Sequence, residues 1–313
     1  MINDTDFRQV DYSMILQGRC TNALTKVRVG EENLTVDPIV GETAIHTDNI
    51  ELHLAKNISP FDLKTSTYQL LDIIVIMFTA NGTKDQKVVF SIDDYMAIRG
   101  LKDRKEARKQ LLADLTVLQK MDLTWEEKQG TNIIRYTNVH LVDNNHEIQW
   151  IDGKKTILSF RFGQAFFDVL SKYPVMPYPN QLLTLNSKKN PNSYYLLRRI
   201  AEHKNMNVGK KNENVISVKT LLDSTPCLPS YNEVMNSDRA WRRRIITPFE
   251  RDMNAFADTL TWWYCYTLNK PVRLEDIQDM SYQQFVNLKI QISWKSYPDQ
   301  SERLKRKHKN CQI

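Results

Sequence analysis

Residues 237–256, Ser-Asp-Arg-Ala-Trp-Arg-Arg-Arg-Ile-Ile-Thr-Pro-Phe-Glu-Arg-Asp-Met-Asn-Ala-Phe, predict a helix with two different faces. On a wheel of about 100° per residue, five apolar side chains fall within about a third of the circumference, the width of a core-facing stripe. They are Trp241, Ile245, Phe249, Met253 and Phe256. The other side carries Arg239, Arg243, Arg244 and Arg251, with Arg242 at the border. An arginine-rich face suits bidentate contact with phosphates and guanine edges; the alternative interpretation is a solvated helix surface.

A proline stands inside this helix, where it would ordinarily kink or stop it. Thr247, Pro248 and Glu250 have the order of an N-cap, a first helical residue and an acidic third residue. Because that order starts a helix, the sequence predicts that the element bends at Pro248 and continues.

The length of 313 residues and the 41% hydrophobic content suggest two domains, each able to bury a core. The N-terminus has no basic start followed by an apolar run, so we expect no signal peptide. The longest apolar run, 73–78, is far shorter than the roughly 20 residues that cross a bilayer. The four cysteines form no C-x-x-C pair, which argues against a zinc site and fits a reducing cytoplasm. We therefore expect a cytoplasmic protein without a metal or cofactor.

Charge is distributed unevenly along the chain. Residues 1–59 carry 5 basic and 9 acidic side chains (−4), residues 60–175 carry 16 and 15 (+1), and residues 176–313 carry 22 and 13 (+9). The second half should therefore attract a polyanion such as DNA. A basic tail over 303–309 could hold nucleic acid loosely or keep the protein soluble.

The first half of the chain has the element order of a winged helix. Residues 1–58 show little helical periodicity and predict an irregular or small β-rich arm, which precedes a domain over 59–175. In that domain the elements are a helix from Phe61 to Gly82, a short helix from Ser91 to Gly100, a helix over 103–121, and hairpins over 125–136 and 147–162. Asp94 and Glu106 follow Ser91 and Asp103 at the spacing of helix caps, and Asp152-Gly153 is a strong hairpin signal.

The helix over 103–121 has a lysine face opposite its leucines. We take the basic residues on and before it as further candidate DNA contacts, namely Lys102, Lys105, Arg108 and Lys109. Lysine supplies charge without the fork geometry of arginine, so phosphates are the expected targets. A solvated surface explains the same pattern equally well.

A proline-rich linker over 172–180 separates the first module from a second that repeats its order. The second domain, 176–298, is predicted to contain helices over 193–206 and from Ser217, the arginine-rich helix, and a wing formed by strands 260–267 and 286–294, with a tail over 299–313. The predicted fold class is α+β, with two tandem winged-helix domains and an irregular N-terminal arm.

Several stretches of this chain resemble the initiator Rep proteins of iteron-type plasmids, which are tandem winged-helix proteins. The resemblance spans about residues 60–295 and is carried by Ile157-Leu-Ser-Phe-Arg-Phe162, Leu170, Tyr173, Leu182-Leu-Thr-Leu-Asn-Ser-Lys188, Ser193-Tyr-Tyr-Leu-Leu197 and Trp241–Asn254. It leaves the N-terminal arm uncovered. The chain also departs from the family pattern in the 17-residue segment 268–284 between the proposed wing strands.

This resemblance implies binding to repeated sites in a replication origin, opening of the nearby AT-rich duplex, and recruitment of the host initiator and replicative helicase. It implies that the second winged helix reads the major groove, and that the first adds DNA contacts and forms a homodimer in the autorepressor. By position, the reading helices are 237–256 and 103–121.

Catalytic motifs are not evident in the sequence. The six histidines include no His-x-His pair of the kind that a DNA-nicking protein needs, and no G-x-x-x-x-G-K-[ST] phosphate loop occurs. Neighbouring carboxylates such as Asp93 and Asp94 point apart in a helix. We therefore expect a DNA-binding protein that is not an enzyme. A winged-helix transcriptional repressor is the first alternative, and a rolling-circle nicking relaxase is the second.

Aromatic residues in the strand 260–267 have two interpretations. Trp262, Trp263, Tyr264 and Tyr266 could stack on unpaired bases. Strand alternation instead sends Trp262, Tyr264 and Tyr266 to one face, and we expect that face to pack in the core.

Overall fold

The computed structural model describes residues 11–26, 34–39, 41–47, 50–56, 58–80, 86–129, 131–143, 147–151, 155–230, 232–234 and 240–300. The chain divides into two compact units, Met1–Met176 and Pro177–Ile313. Within the described ranges, no helix is both long and apolar enough to cross a bilayer.

The first unit mixes strands and helices. Its strands are β1 (Tyr12–Leu16), β2 (Leu34–Val36), β3 (Thr43–His46), β4 (Ile50–Leu54), β5 (Lys87–Ser91), β6 (Met121–Gln129), β7 (Asn132–His140), β8 (Glu147–Ile151) and β9 (Lys155–Arg161). Its helices are α1 (Arg19–Leu24), α2 (Thr65–Ala80), α3 (Ile92–Arg99), α4 (Arg104–Gln119) and α5 (Gln164–Leu170), with a 3-10 turn over Pro60–Asp62.

The second unit begins within the extended strand β10 (Val175–Pro179), which spans the boundary between the units. Its other strands are β11 (Val215–Ser217), β12 (Leu260–Thr267), β13 (Lys270–Pro271) and β14 (Lys289–Trp294). Its helices are α6 (Gln181–Thr184), α7 (Ser193–Met206), α8 (Val218–Asp223), α9 (Thr247–Asn254), α10 (Leu274–Asp279) and α11 (Tyr282–Val286), and a π-helical turn over Arg242–Ile246 precedes α9.

Each unit contains a winged-helix sheet. In the first, β5 lies between α2 and α3 in the chain and pairs with β9, whose other neighbour is its hairpin partner β8. In the second, β11 lies between α7 and α8 and pairs with β14, whose other neighbour is β12. The same antiparallel order therefore occurs twice, which confirms the tandem winged-helix prediction.

In the first unit, helix caps form at Ser91 and Asp103, where the sequence predicts them. The Ser91 hydroxyl accepts from the Asp94 N–H at 3.1 Å, while Asp94 accepts from the Ser91 N–H at 2.7 Å. Gly100 ends α3 with φ of 63°, a left-handed conformation that glycine adopts without strain. Asp103 accepts from the Glu106 N–H at 3.0 Å and so begins α4. These local contacts set the bounds of the helix-turn-helix.

The N-terminal region is β-rich, which is one of the two alternatives predicted for it. Strands β2, β3, β4, β6 and β7 form one antiparallel sheet in that order, with Leu52 opposite Leu123. The hairpin expected over 125–136 therefore belongs to this sheet, and β8 and β9 are the wing strands of the first unit. The arm strands are short, so their pattern in sequence is weak. Strand β4 pairs with the longer β6, and Ile50, Leu52 and Leu54 form its buried face.

Candidate nucleic-acid interface

The described part of the arginine-rich helix begins at Trp241 and runs through the π turn into α9. Arg239, one of the predicted contacts, lies outside the described residues. The apolar stripe faces the core as predicted: Trp241 is 9% exposed, Ile245 is 1% exposed, and Phe249, Met253 and Phe256 are 0% exposed. The arginines therefore project from the other side.

Pro248 is accommodated by a widened turn. The Thr247 N–H donates to the Arg242 carbonyl, five residues earlier, and Thr247 has helical φ and ψ of −57° and −48°. The element continues past Pro248, as predicted, but Thr247 is not an N-cap, because its own backbone is helical. A proline has no N–H to donate and crowds the carbonyl four residues before it, and the π turn loosens the backbone at that point.

Arg242 has a structural contact that the sequence does not indicate. Its Nη2 donates to the Met280 carbonyl oxygen at 2.6 Å, and its guanidinium lies 4.9 Å from the centre of the Trp241 ring. Trp241 in turn packs edge-on against Tyr282, at 5.4 Å between ring centres. Arg242 thus joins the start of the helix to the segment between α10 and α11, and its donors are partly committed to the protein.

Arg243 and Arg244 are both exposed on the same stretch of helix. Arg243 makes no hydrogen bond or ion pair with the residues that the structure describes. A guanidinium has five N–H donors, so this side chain can engage two acceptors on a base edge at once. None of the Arg243 donors is used by the residues that the structure describes.

The Arg251 side chain is positioned by the buried carboxylate of Asp252. Its Nε donates to Asp252 at 2.7 Å, and this hydrogen bond raises the pKa of Arg251. Asp252 is 0% exposed, and its other oxygen accepts from the backbone N–H and the side-chain amide of Asn192, both at 2.9 Å. Arg251 itself is about half exposed. Its outward N–H groups therefore have a fixed orientation, which suits a phosphate contact.

The aromatic strand packs mostly as the alternation predicts. Tyr264 is buried and donates to Glu250 at 3.2 Å, and burial raises the pKa of Glu250. Trp262 packs edge-on against Phe249 and donates to Asn254 at 3.1 Å. Tyr266 is 50% exposed, so its predicted core position is wrong. It is the next-to-last residue of β12.

Helix α4 occupies the corresponding position in the first unit, and it also has one exposed basic face and one buried face. Lys102, Lys105, Arg108 and Lys109 are all exposed, as the lysine face requires. On the opposite side, Asp114 is only 4% exposed and accepts from the hydroxyls of Ser66 at 2.9 Å and Thr67 at 2.8 Å. Sequence patterns miss this link between α4 and α2, because its partners lie 47 and 48 residues away.

Domains 2 and 3 of RctB are similar in structure to this chain. One crystal structure of them has 14% sequence identity, covers 87% of this chain and 98% of that chain, and gives a TM-score of 0.47. A second has 13% identity, covers 88% and 97%, and gives 0.44. The WH1 domain of MSBI1.176, a replication protein isolated from a multiple sclerosis patient, has 16% identity, covers 34% and 79%, and gives 0.25.

No family model matches this chain, and neither does any curated protein. The assignment of two winged-helix domains therefore rests on the strand order that the two units share.

Proposed function

We propose that this protein is a sequence-specific double-stranded DNA-binding protein that initiates plasmid replication, and that it has no catalytic activity. The observation that carries the proposal is Arg243, an exposed arginine without a partner among the described residues, on the third helix of a winged-helix unit. In helix-turn-helix proteins this helix enters the major groove with its N-terminal residues at the base edges. Arg243 and Arg244 stand in that part of the helix.

The charges around Arg243 support binding to a polyanion. Residues 176–313 carry 22 basic and 13 acidic side chains, a net charge of +9. Arg251, held by Asp252, is the best-oriented phosphate contact of the second unit. Lys105, Arg108 and Lys109 supply the corresponding phosphate contacts on α4 of the first unit.

The resemblance of the sequence to iteron-binding initiators supports the finer parts of the proposal. These are binding to direct repeats in the plasmid origin, help in opening the duplex, recruitment of the host initiator and replicative helicase, and a homodimeric form that represses its own gene in the cytoplasm. Each of these properties belongs to the family that the sequence resembles, except the cytoplasmic location, which the cysteine usage predicts.

Selection of bound duplexes from a random DNA pool, at about 150 mM salt where non-specific attraction is weakened, tests the central claim. We expect the wild-type protein to enrich one defined motif and the Arg243→Ala variant to lose preference at one position of it. Lys211→Ala is the matched control, since Lys211 is exposed in the loop after α7 and its removal changes the net charge equally. The control should enrich the wild-type motif.

The arrangement of the motif beside the gene separates an initiator from the repressor alternative. Several direct repeats support the initiator, whereas a single inverted repeat supports a repressor. Failure to enrich any motif contradicts sequence-specific binding and leaves the basic half as a general surface for polyanions.

The absence of catalysis that we propose has its own test. The protein is incubated with Mg²⁺ and single-stranded DNA of its plasmid origin, and the products are resolved under denaturing conditions. A nicking relaxase would leave a covalent tyrosyl–DNA product. We expect uncut DNA, and a protein–DNA adduct would contradict the proposal.

A further inference from the structure

The exposed face of the arginine-rich helix contains a threonine between two of its arginines. Thr247 follows Arg243 by four residues and precedes Arg251 by four, and all three side chains are exposed. Residues four apart in an α-helix differ by about 40° around the axis. The π turn over Arg242–Ile246 holds more residues per rotation, which brings Arg243 and Thr247 closer into line.

Three other polar side chains of this helix are engaged by the protein. Arg242 donates to Met280, Arg251 donates to Asp252, and Asn254 accepts from Trp262. The Thr247 hydroxyl lies 3.5 Å from the Arg242 carbonyl oxygen, a long contact, and it makes no other hydrogen bond with the residues that the structure describes. With the hydroxyl turned towards that carbonyl, the methyl group is the part of the side chain that remains for a partner.

We infer that Thr247 is a second specificity-determining residue, whose methyl group contacts the C5-methyl of a thymine beside the base pair that Arg243 reads. This inference rests on the proposed function. A threonine methyl is a suitable partner for the thymine methyl, which is the apolar marker of a T·A pair in the major groove. Four residues of helix rise about 6 Å and base pairs are about 3.4 Å apart, so the two contacts should lie within about two base pairs.

Two substitutions test the methyl group and the hydroxyl of Thr247 separately. Thr247→Val keeps a methyl at the same place and removes the hydroxyl, whereas Thr247→Ser keeps the hydroxyl and removes the methyl. In selection from a random pool, we expect the Ser variant to lose preference for one T·A pair within about two base pairs of the position that Arg243→Ala loses. The Val variant should keep that preference.

A modified duplex tests the methyl contact directly. Replacing the selected thymine by deoxyuridine removes only its C5-methyl, and we expect wild-type affinity to fall about fourfold, the value of one buried methyl-sized group. The Thr247→Ser variant should bind both duplexes equally. Circular dichroism of each variant checks that its fold is retained.

Each outcome separates this inference from the proposed function. If Arg243→Ala loses a position and Thr247→Ser selects the wild-type motif unchanged, the DNA-binding proposal stands and the role of Thr247 is overturned. Equal sensitivity of wild type and Thr247→Ser to deoxyuridine overturns it as well. If the wild type enriches no motif, the proposed function fails and the inference falls with it.

Discussion

Arg242 and Arg243 are neighbours in the chain, but their guanidinium groups have different surroundings. Arg242 donates to the Met280 carbonyl and stacks on Trp241, whereas Arg243 is exposed and has no partner among the described residues. The two side chains should therefore respond differently to truncation, one through stability and the other through recognition.

Removal of the Arg243 side chain should weaken specific binding by about 1–3 kcal/mol, because a bidentate contact with a base edge is lost. Affinity for a mismatched duplex should change much less. Fluorescence anisotropy with the selected site and a scrambled site measures both constants. Equal loss on the two duplexes would contradict base reading and would make Arg243 a phosphate contact.

Arg242→Ala should lower the free energy of unfolding by about 1–2 kcal/mol, because a charged hydrogen bond and a cation–π contact are lost. No single base position should lose its preference. Urea unfolding of the full chain gives the first quantity, and selection from a random pool gives the second. Arg243→Ala is the matched control for stability, and unchanged unfolding of the Arg242 variant would contradict its structural role.

At the scale of the element, the lysine face of α4 and the arginine face of the second unit differ in chemistry. Lys105 and Lys109 are exposed, and neither makes a hydrogen bond or ion pair with the described residues. Lysine offers a compact charge on a flexible stem, so it suits phosphates in any sequence context. The first unit is therefore expected to add affinity without adding sequence preference.

Lys109→Ala should weaken binding to all duplexes alike and should lower the slope of log affinity against log salt by about one. The measurement is a salt titration with the selected site and with a scrambled site. Glu106→Ala, which changes an exposed acidic side chain of the same helix, should not reduce affinity. A loss confined to the selected site would show that α4 reads sequence.

The bounds of these elements could be predicted from neighbouring residues. Ser91, Asp103 and Ser217 each cap the helix that follows, and α7 occupies the predicted range 193–206. The π turn could not be predicted in the same way. Proline signals both a helix start and a helix interruption, and the packing of Ile245 and Phe249 on one core keeps the element continuous.

At the scale of the whole molecule, a buried carboxylate links two helices of the first unit. Burial raises the pKa of Asp114, although hydrogen bonds from Thr67 and Ser66 act in the opposite direction. The folded protein therefore holds this proton to a higher pH than the unfolded chain does. The contribution of Asp114 to stability is greatest below the ordinary value of 3.8, and it decreases as pH rises towards the raised pKa.

Asp114→Asn should remove this part of the pH dependence, because an amide does not ionise and its oxygen can still accept from the Ser66 and Thr67 hydroxyls. Urea unfolding between about pH 4 and pH 7 measures it. Wild-type stability should fall more steeply with rising pH than that of the variant. Asp223→Asn, an exposed site, is the control, and parallel curves for wild type and Asp114→Asn would contradict the prediction.

The sequence by itself determined the repeated helix order, the caps, the buried stripe of the third helix and the set of arginines opposite it. These features depend on residues within a few positions of one another, where helical and strand periods act directly. The tertiary structure decided which strands form each sheet and which arginine remains available. Leu52 pairs with Leu123, and Arg242 turns to the Met280 carbonyl while Arg243 stays exposed. Such contacts join residues far apart in the chain, so only the folded packing of complementary surfaces selects them.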